Sequence, residues 1–323
     1  MSPADPPAPG PLRALLERRA LVREKLRRMF DAGGFVEVDT PVLSAEVLPE
    51  AHIDPIAVPL DGAAAPPHWL QASPEALMKR LLAAGAGPIY QFARSFRAGE
   101  RGRMHDVEFV LLEWYEPGAT LESTAPLLER LCAAVLGTTG LERVDCRAAF
   151  LRHAGVDPLA ATLAEWRAAG ERLGVSSPHG ATDSVETWFE LLLAEVVGPA
   201  LGRGGVPTAL EAWPAAHAAF ARLDPADPRL ARRFELFVEG IELANGWEED
   251  PGRDLLARRI DGANRIREAS GRPALPVPER FLAAHGAAMP TGVGAALGFD
   301  RLVMLAAGGD SLDAARPFPP GEA

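Results

Sequence analysis

The chain has 323 residues, of which 48% are hydrophobic, and its formal net charge at pH 7 is −11. The acidic balance argues against a protein coated by nucleic acid, because such binding requires a broad basic face, and no apolar run approaches the roughly 20 residues that span a bilayer. Cys132 and Cys146 are the two cysteines and do not form a Cys-x-x-Cys pair, which fits a reducing cytoplasm and excludes a metal–thiolate site.

The first predicted element is an amphipathic helix. Residues 1–11 are rich in proline, lack a signal-peptide pattern and are expected to form a disordered lead-in. From Leu12 to Ala32 apolar residues recur at close to a 3.6-residue period. Gly33-Gly34 ends this helix, and a short strand from Phe35 to Val38 stops at Pro41. The unit is either ordinary packing or an oligomer contact.

A helix start follows an irregular passage. Asp54 to Pro67 is predicted to be a loop or an irregular hairpin, and His68 to Gln71 a strand. Ser73, Pro74 and Glu75 then supply an N-cap, a proline at the first helical position and an acid in the first turn. Glu75 could serve only to complement the helix dipole.

Two apolar segments, Pro88 to Ala93 and Val107 to Tyr115, flank a polar loop and predict an antiparallel hairpin with a mobile loop. The guanidinium fork fits phosphate or carboxylate and stays charged near neutrality, so the loop suits a polyphosphate. A solvated hairpin with surface arginines is the alternative. The arginines in or beside the loop are Arg94, Arg97, Arg101 and Arg103.

The stretch from about 140 to 200 is predicted to be mainly helical and carries no dense polar cluster. Capping-box spacing at Thr162–Glu165 and Asp183–Glu186 opens two helices there. His153 and His179 stand alone and are expected to be structural or solvated.

An acidic segment follows at residues 234–249. Phe234 to Glu239 alternates apolar and polar residues and predicts a strand. Asn245-Gly246 is predicted to form a tight turn that returns Glu249 toward Glu242. Two carboxylates that converge near bound phosphates would hold Mg²⁺. They could instead bind a cationic substrate or form an acidic hairpin edge.

The last informative run extends from Gly292 to Leu305 and predicts a glycine-spaced strand followed by a helix that begins near Asp300. Arg301 would lie in the first turn of that helix, where it could clamp a terminal phosphate with help from the helix N-terminus. The glycine spacing matches neither a Walker loop nor a dinucleotide-binding fingerprint.

Three of these runs resemble, in order, the signature motifs of class II aminoacyl-tRNA synthetases. Gly34 to Pro41 resembles motif 1, the dimer-interface element; the run from Arg97 to Phe109 resembles motif 2; and Gly294 to Arg301 resembles motif 3. The resemblance implies an α+β fold with an antiparallel sheet of about six or seven strands flanked by helices. It also implies one domain over residues 12–323, with the mainly helical insertion, and a homodimer formed through motif 1.

Within the class, the chain resembles the lysine branch at Ser73-Pro74-Glu75, Phe109 to Tyr115 and Gly240 to Gly246. No β-rich anticodon-binding module precedes motif 1, so the chain resembles the free-standing elongation factor P–(R)-β-lysine ligase family. Ala296 agrees, because full synthetases tend to have glycine at the matching position. The resemblance implies activation of (R)-β-lysine with ATP and its transfer to a lysine of elongation factor P, in the cytoplasm, with no tRNA and no membrane.

The resemblance also implies residue roles. Arg97 would hold the α-phosphate and neutralise charge as the substrate carboxylate attacks, Phe109 would stack on adenine, and Arg301 would contact adenine and the γ-phosphate. The other implied ATP-binding residues are Gly99, Glu100, Arg103, His105, Asp106, Glu242, Leu243 and Gly298, with Glu242 and Glu249 as Mg²⁺ ligands. The implied amino-acid pocket consists of Ser73, Pro74, Glu75, Tyr115, Asn245, Glu249 and Ala296, with Glu75 as the candidate partner of a substrate ammonium group.

Motif 2 departs from the family pattern at two positions. Gly99 occupies the usual glutamate position, so either Glu100 recognises adenine through a shifted loop or that contact is lost. Asp106-Val107 replaces the usual Asn-Pro, and an aspartate cannot donate as an asparagine does. Two other functions therefore stay open: a related enzyme that activates α-lysine or another amino acid for a carrier or small molecule, and a non-catalytic paralogue that binds ATP or an amino acid.

Overall fold

A computed structural model of the chain describes residues 10–60, 66–177 and 183–318. The predicted lead-in, apart from its last two residues, and His179 lie outside these ranges. None of the described helices is both long and apolar enough to cross a membrane.

The described strands are β1 (Val36–Glu37), β2 (Leu43–Ser44), β3 (Ile56–Val58), β4 (His68–Leu70), β5 (Ile89–Phe96), β6 (Glu108–Pro117), β7 (Glu142–Asp145), β8 (Thr208–Pro214), β9 (Leu230–Val238), β10 (Ile241–Glu248) and β11 (Gly292–Gly298). The described helices are α1 (Pro11–Ala32), α2 (Glu75–Ala83), α3 (Leu121–Leu136), α4 (Cys146–His153), α5 (Leu163–Leu173), α6 (Val185–Leu192), α7 (Gly198–Ala200), α8 (Arg253–Ala269), α9 (Glu279–Ala284) and α10 (Phe299–Ala306).

The main sheet has eight described strands in the order β1-β5-β6-β11-β10-β9-β8-β7. Its inner pairs are antiparallel, whereas β1 pairs with β5 and β7 pairs with β8 in parallel. A second sheet has the order β2-β4-β3. The predicted α+β architecture is confirmed. The predicted number of six or seven strands is too low, because the short edge strands β1 and β7 extend the sheet on both sides.

Helix α1 packs on one face of the main sheet through a single stripe. Val22, Leu26 and Phe30 recur every fourth residue and are buried. The Phe30 ring stacks on Tyr90 of β5 with 4.8 Å between the ring centroids. Gly34 then adopts a φ of 80°, which ends the helix and directs the chain into β1. The predicted helix–glycine–strand unit is confirmed, with the strand reduced to two residues.

The hydrophobic core lies on both sides of the sheet. Helices α1, α3 and α10 cover one face, where Leu112, Trp114 and Leu297 are fully buried. Helices α4 to α6 enclose a separate core around Trp166 at the β7–β9 end. The predicted helical segment therefore packs as a unit on one end of the sheet. Helix α2 packs near β5 and β6 through Met78.

The predicted tight turn at Asn245-Gly246 is wrong. The chain reverses between β9 and β10 at Glu239-Gly240, with φ angles of 50° and 76°, as in a two-residue hairpin turn. Asn245 and Gly246 lie inside β10. A Cβ on Gly246 would lie 2.6 Å from a ring atom of Phe234. The glycine is therefore needed for close strand packing.

The two predicted capping boxes differ in outcome. Thr162 and Glu165 exchange both reciprocal bonds at the start of α5. At α6 the N-cap is Ser184, one residue beyond the predicted Asp183. Asp183 instead accepts a hydrogen bond from Trp188 Nε1 at 2.9 Å, so its carboxylate is not available to cap the helix.

Candidate active site

An open cavity of about 300 Å³ lies on the face of the sheet opposite α1. Strands β6, β10 and β11 form its floor, and the β5–β6 loop and the start of α2 form its walls. Four predicted site residues lie outside its described lining: Pro74, Gly99, Arg103 and Glu249. The predicted residues that line it are Ser73, Glu75, Arg97, Glu100, His105, Asp106, Phe109, Tyr115, Glu242, Leu243, Asn245, Ala296, Gly298 and Arg301.

One end of the cavity carries Arg97 and Phe109. The β5–β6 register pairs Ser95 with Phe109, which brings Arg97, just beyond β5, next to the aromatic ring. The Arg97 guanidinium carbon lies 4.9 Å from the ring centroid, and its Nη1 lies 3.5 Å from Glu100 Oε1. Arg97 Nε is buried and has no hydrogen-bond partner among the described residues. This donor is therefore available for an anionic group in the cavity.

Arg301 joins three parts of the same end. It lies in the first turn of α10, as predicted. Its Nη1 donates to the Glu242 carbonyl oxygen at 2.8 Å and lies 3.5 Å from the Glu242 carboxylate. Its Nη2 lies 2.8 Å from His105 Nε2. A guanidinium only donates, so His105 accepts at Nε2 and is neutral in this contact. Burial, helped by the charge of Arg301, lowers the pKa of His105 in agreement with a neutral ring.

Two side chains of the β5–β6 loop, those of Asp106 and Arg103, contact the C-terminal segment. Asp106 forms an ion pair with Arg316 and accepts a hydrogen bond from the Val107 N–H at 2.8 Å. Its carboxylate therefore anchors the base of the loop. Arg103 extends away from the cavity and lies 2.6 Å from the Asp310 carboxylate. The Arg103 guanidinium is therefore engaged outside the cavity lining.

The other end of the cavity has a buried carboxylate that the sequence analysis did not single out. Glu113 lies on β6, where Ser73 Oγ donates to Oε2 at 2.7 Å and Tyr115 Oη donates to Oε1 at 2.6 Å. Burial, reinforced by the nearby Glu75, raises the pKa of Glu113 to about 8. Its signal in the sequence was a single glutamate within the apolar run Val110 to Tyr115. Ser73 also accepts a hydrogen bond from the Glu75 N–H at 3.0 Å. The helix starts at Glu75 with Pro74 as its N-cap, so the predicted start is one residue early.

Below this acidic end lies a buried triad in which the predicted residues Glu75 and Glu249 share a lysine, Lys79, that was not predicted. Lys79 is only 1% exposed, and its Nζ lies 2.7 Å from a carboxylate oxygen of both Glu75 and Glu249. Burial would lower the pKa of Lys79, but the two carboxylates raise it above its ordinary value. Burial raises the pKa of Glu249 to about 7 although Lys79 opposes the change. Glu249 Oε1 has no hydrogen-bond partner among the described residues. It lies 2.6 Å from where a Cβ on the cavity-lining Gly294 would stand.

The turn that was expected to bring Glu242 toward Glu249 is absent, and their shared role as Mg²⁺ ligands stays a prediction. Both residues belong to the β10 segment, where the register shift between Glu242 and Ala244 inserts Leu243 as a bulge. Leu243 and Ala244 both pack into the α1-side core, so the bulge leaves both glutamates on the cavity side. Their spacing nevertheless corresponds to about 20 Å of extended strand at about 3.3 Å per residue. The two residues therefore lie at different points along the segment, and Glu249 is just beyond the end of β10.

Glu235 is the carboxylate that the structure offers as a partner of Glu242. It lies opposite Asn245 on β9, and Glu242 lies opposite Phe237, so the two acids are diagonal neighbours on one face of the hairpin. Burial raises the pKa of Glu235 to about 8, Arg233 opposes the change and Glu242 adds to it. Arg233 Nη2 lies 2.5 Å from Glu235 Oε1. The described residues contain no group of three or more His, Cys, Asp or Glu that could hold a metal, which still fits Mg²⁺, because this ion keeps several waters and shares substrate phosphates.

Ala296 lies at the centre of the acidic end. The strand registers pair it with Glu113 of β6 on one side and with Asn245 of β10 on the other. All three residues line the cavity. The Ala296 methyl group therefore occupies floor space between a buried carboxylate and an amide.

The sequence profile of the family described as tRNA synthetases class II (D, K and N) matches residues 10–322. The chain is also similar to three curated elongation factor P–(R)-β-lysine ligases. It is 39% identical to that of Yersinia enterocolitica over 97% of both chains. It is 38% identical to that of Enterobacter sp. over 92% of both chains, and 40% identical to that of Erwinia tasmaniensis over 91% of both chains.

Proposed function

Because the chain belongs to the class II tRNA synthetase family, and within it to the elongation factor P–(R)-β-lysine ligases, we propose that it activates (R)-β-lysine with ATP and transfers it to a lysine side chain of elongation factor P. The observation that carries the proposal is the separation of charge between the two ends of this cavity. Arg97 and Arg301 lie at one end, and Glu75, Glu113 and Glu249 lie in or directly below the other. A polyanionic nucleotide and a diammonium amino acid would occupy these two ends.

The acidic end is short of positive charge. Glu75, Glu113 and Glu249 surround one buried cation, Lys79. A substrate with two ammonium groups would supply the missing charge, and Glu113 would lose its proton as an ammonium group approaches. The ammonium groups would donate to Glu249 Oε1 and to Glu113, which Ser73 and Tyr115 hold in place. Charged donors of this kind form strong hydrogen bonds in a buried site.

The cationic end would hold and activate the nucleotide. Adenine would stack on Phe109, the α-phosphate would meet Arg97, and Arg301 would contact the outer part of the nucleotide. The unsatisfied Arg97 Nε supports this role. Gly298 supports it as well, because a Cβ there would meet only the Arg301 side chain, at 3.4 Å or more. Packing within the chain does not require that glycine, whereas a nucleotide lying on the strand would. Rate enhancement would come from positioning and from charge stabilisation at phosphorus.

Mg²⁺ belongs to the proposal, with Glu235 and Glu242 as the residues that would hold it. The chemical character of this pair fits, since Glu242 adds to the raised pKa of Glu235 and a cation held between two neighbouring carboxylates would be attracted by both. When bound, the ion would neutralise phosphate charge. The residues of the chain would do the rest: the arginines orient the phosphates, and the acidic end orients the substrate carboxylate toward the α-phosphorus.

We further propose a cytoplasmic homodimer that uses no tRNA. The exposed face of α1 and the edge strand β1 carry apolar side chains that a second copy would cover, and exposed apolar patches commonly mark interfaces. The acidic net charge supports a protein acceptor over tRNA. The apolar side chains are Leu12, Leu16, Leu21 and Val36.

The proposed function is tested by ATP–pyrophosphate exchange with (R)-β-lysine, α-lysine and an unrelated amino acid. We expect exchange that depends on (R)-β-lysine and is much weaker with α-lysine. Exchange that prefers α-lysine would favour the related enzyme with a different amino acid. Exchange driven only by the unrelated amino acid, or no ATP binding by calorimetry, would overturn the proposal.

A further inference from the structure

The carboxylate of Glu50 lines the cavity but has no part in the nucleotide and amino-acid binding proposed above. Glu50 lies on the segment between β2 and β3 and lines the cavity with Arg97 and Glu75. Hydrogen bonds within the described residues leave its carboxylate unengaged, although its backbone carbonyl oxygen accepts from Arg267 Nη1 at 3.3 Å. The hydrogen bond to its backbone holds Glu50 at the cavity wall. Its carboxylate is available to contact a reactant.

The segment that carries Glu50 is held rigidly. Arg267 of α8 is only 2% exposed, and besides Glu50 it donates to the Ile53 carbonyl oxygen at 2.7 Å and to Asp54 Oδ1 at 2.9 Å. The Ala98 N–H donates to the Asp54 carbonyl oxygen at 2.7 Å. Ala98 directly follows Arg97 in the chain. A buried guanidinium thus fixes Glu50 relative to the residue proposed to hold the α-phosphate.

The charges around Glu50 define what it faces. Arg97, Glu75 and Glu100 are the charged groups that act on its carboxylate. In the proposed function Arg97 meets the α-phosphate and Glu75 lies at the ammonium end. The carbonyl carbon of an aminoacyl adenylate lies between its phosphate and its amino group. In the proposed complex Glu50 would therefore lie beside the atom that the acceptor amine attacks.

We propose that Glu50 is a catalytic residue of the transfer step and takes the proton of the acceptor amine. The neutral amine nitrogen attacks the carbonyl carbon and forms the amide bond, the bond from that carbon to the phosphate oxygen breaks, and AMP leaves with the electron pair. The surplus proton on the nitrogen moves to the Glu50 carboxylate. This inference rests on the proposed function, since it needs an adenylate in the cavity.

The electrostatics support this role. Burial raises the pKa of Glu50 to about 7; Arg97 opposes the change, and Glu75 and Glu100 add to it. A general base is most effective when its pKa lies near the operating pH, and such a base typically contributes about 100-fold or more to the rate. An ordinary exposed glutamate, with a pKa of about 4.3, would be a weaker base for an amine.

The decisive variant is Glu50→Gln, examined in three assays of the full-length protein. Exchange of pyrophosphate with (R)-β-lysine measures adenylate formation. Hydroxamate formation with hydroxylamine measures release of the acyl group to a weakly basic amine, whose proton water can take. Single-turnover transfer to purified elongation factor P measures the complete reaction. We expect the first two to change by less than about twofold and transfer to fall by about 100-fold.

Two further variants separate a chemical role from a structural one. Glu50→Asp keeps a carboxylate and should retain part of the transfer rate. Glu46→Gln is the matched control on the same segment, because the Glu46 carboxylate accepts from the Arg280 N–H at 2.8 Å and does not line the cavity. This control should leave all three assays unchanged. Transfer by both proteins should rise with pH as the acceptor ammonium group loses its first proton to water, because a lysine titrates near about 10.4. The wild-type profile should carry an additional inflection near pH 7 from Glu50, and the Glu50→Gln variant should lack that inflection.

Three outcomes would overturn the assignment: equal losses in all three assays, unchanged transfer, or a rise in the KM for (R)-β-lysine in the exchange assay. The last result would make Glu50 an ammonium-binding residue. Absence of exchange in the wild-type protein would instead overturn the proposed function, and the role of Glu50 with it.

Discussion

Lys79 and Glu249 form a buried ion pair, with 2.7 Å between Nζ and Oε2, directly beneath the acidic end of the cavity. The same ammonium group lies 2.7 Å from Glu75 Oε1. One ammonium group therefore neutralises only part of the charge of two carboxylates. A cationic ligand could neutralise the rest. This arrangement links the stability of the fold to the recognition of a cationic substrate.

Replacing Lys79 by methionine should weaken both properties. Two buried carboxylates would lose their counter-charge, which typically costs about 3 to 5 kcal/mol in the free energy of unfolding. Urea denaturation at pH 7 measures the loss, and pyrophosphate exchange should show a higher KM for (R)-β-lysine with little change in the KM for ATP. Lys25→Met is the control, because that side chain is exposed and bonds only to the Ala134 carbonyl oxygen. Similar losses in both variants would contradict the role of the buried pair.

The free energy of unfolding should fall as the pH rises, because a buried carboxyl group of the acidic end then loses its proton. Burial raises the pKa of Glu113 to about 8, whereas an unfolded glutamate titrates near about 4.3. The folded protein therefore holds more protons than the unfolded chain between these values, and the free energy of unfolding decreases with increasing pH in that window. Glu113→Gln removes this contribution and should stabilise the ligand-free protein at pH 8, by on the order of 1 to 3 kcal/mol. Denaturation at pH 5.5 and pH 8 checks the sign, and a wild-type stability that rises over this range would refute it.

In the proposed function Glu235 binds the metal and Glu249 binds the amino acid, so variants of the two residues should differ. Glu235→Gln should raise the Mg²⁺ concentration needed for half-maximal exchange, because Glu235 neighbours Glu242 across the hairpin. Glu249→Gln should instead raise the KM for (R)-β-lysine and leave the Mg²⁺ requirement unchanged. Exchange measured over a Mg²⁺ titration compares the two variants directly. A Mg²⁺ requirement that shifts in Glu249→Gln and not in Glu235→Gln would instead support the predicted pairing of Glu242 with Glu249.

Ala296 should control which lysine isomer fits. Its methyl group lies between Glu113 and Asn245 on the cavity floor. Ala296→Gly removes one methyl group, a change worth about 1 to 3 kcal/mol in a tight pocket. We expect the ratio of kcat/KM for α-lysine to that for (R)-β-lysine to increase by about tenfold or more in the exchange assay. An unchanged ratio would show that the isomer is selected elsewhere.

The sequence predicted the elements whose signals are local. The apolar period of α1 and the hairpin around Arg97 each depend on a few neighbouring residues, and the structure has them where expected. The start of α2 depends on equally local signals and differs from the prediction by one residue. The order of the motifs also predicted that Arg97 and Arg301 lie at one site, and both line the same cavity.

What escaped prediction depends on contacts between distant segments. Lys79 looks like one exposed residue of an amphipathic helix, and only the packing of α2 near β6 buries it. The Asn245-Gly246 dipeptide has the composition of a turn, but Phe234 on the neighbouring strand requires the glycine. The bulge at Leu243 has no signature in the sequence, and it decides which side of β10 carries Glu242.

The most direct test of the account is the intact mass of purified elongation factor P after incubation with this protein, ATP and each lysine isomer. We expect the mass to increase by one lysyl residue, on a single lysine side chain, with (R)-β-lysine. We expect no increase in mass when ATP is omitted. An unchanged mass with (R)-β-lysine under conditions in which pyrophosphate exchange proceeds would contradict it, because the activated amino acid would then have a different acceptor.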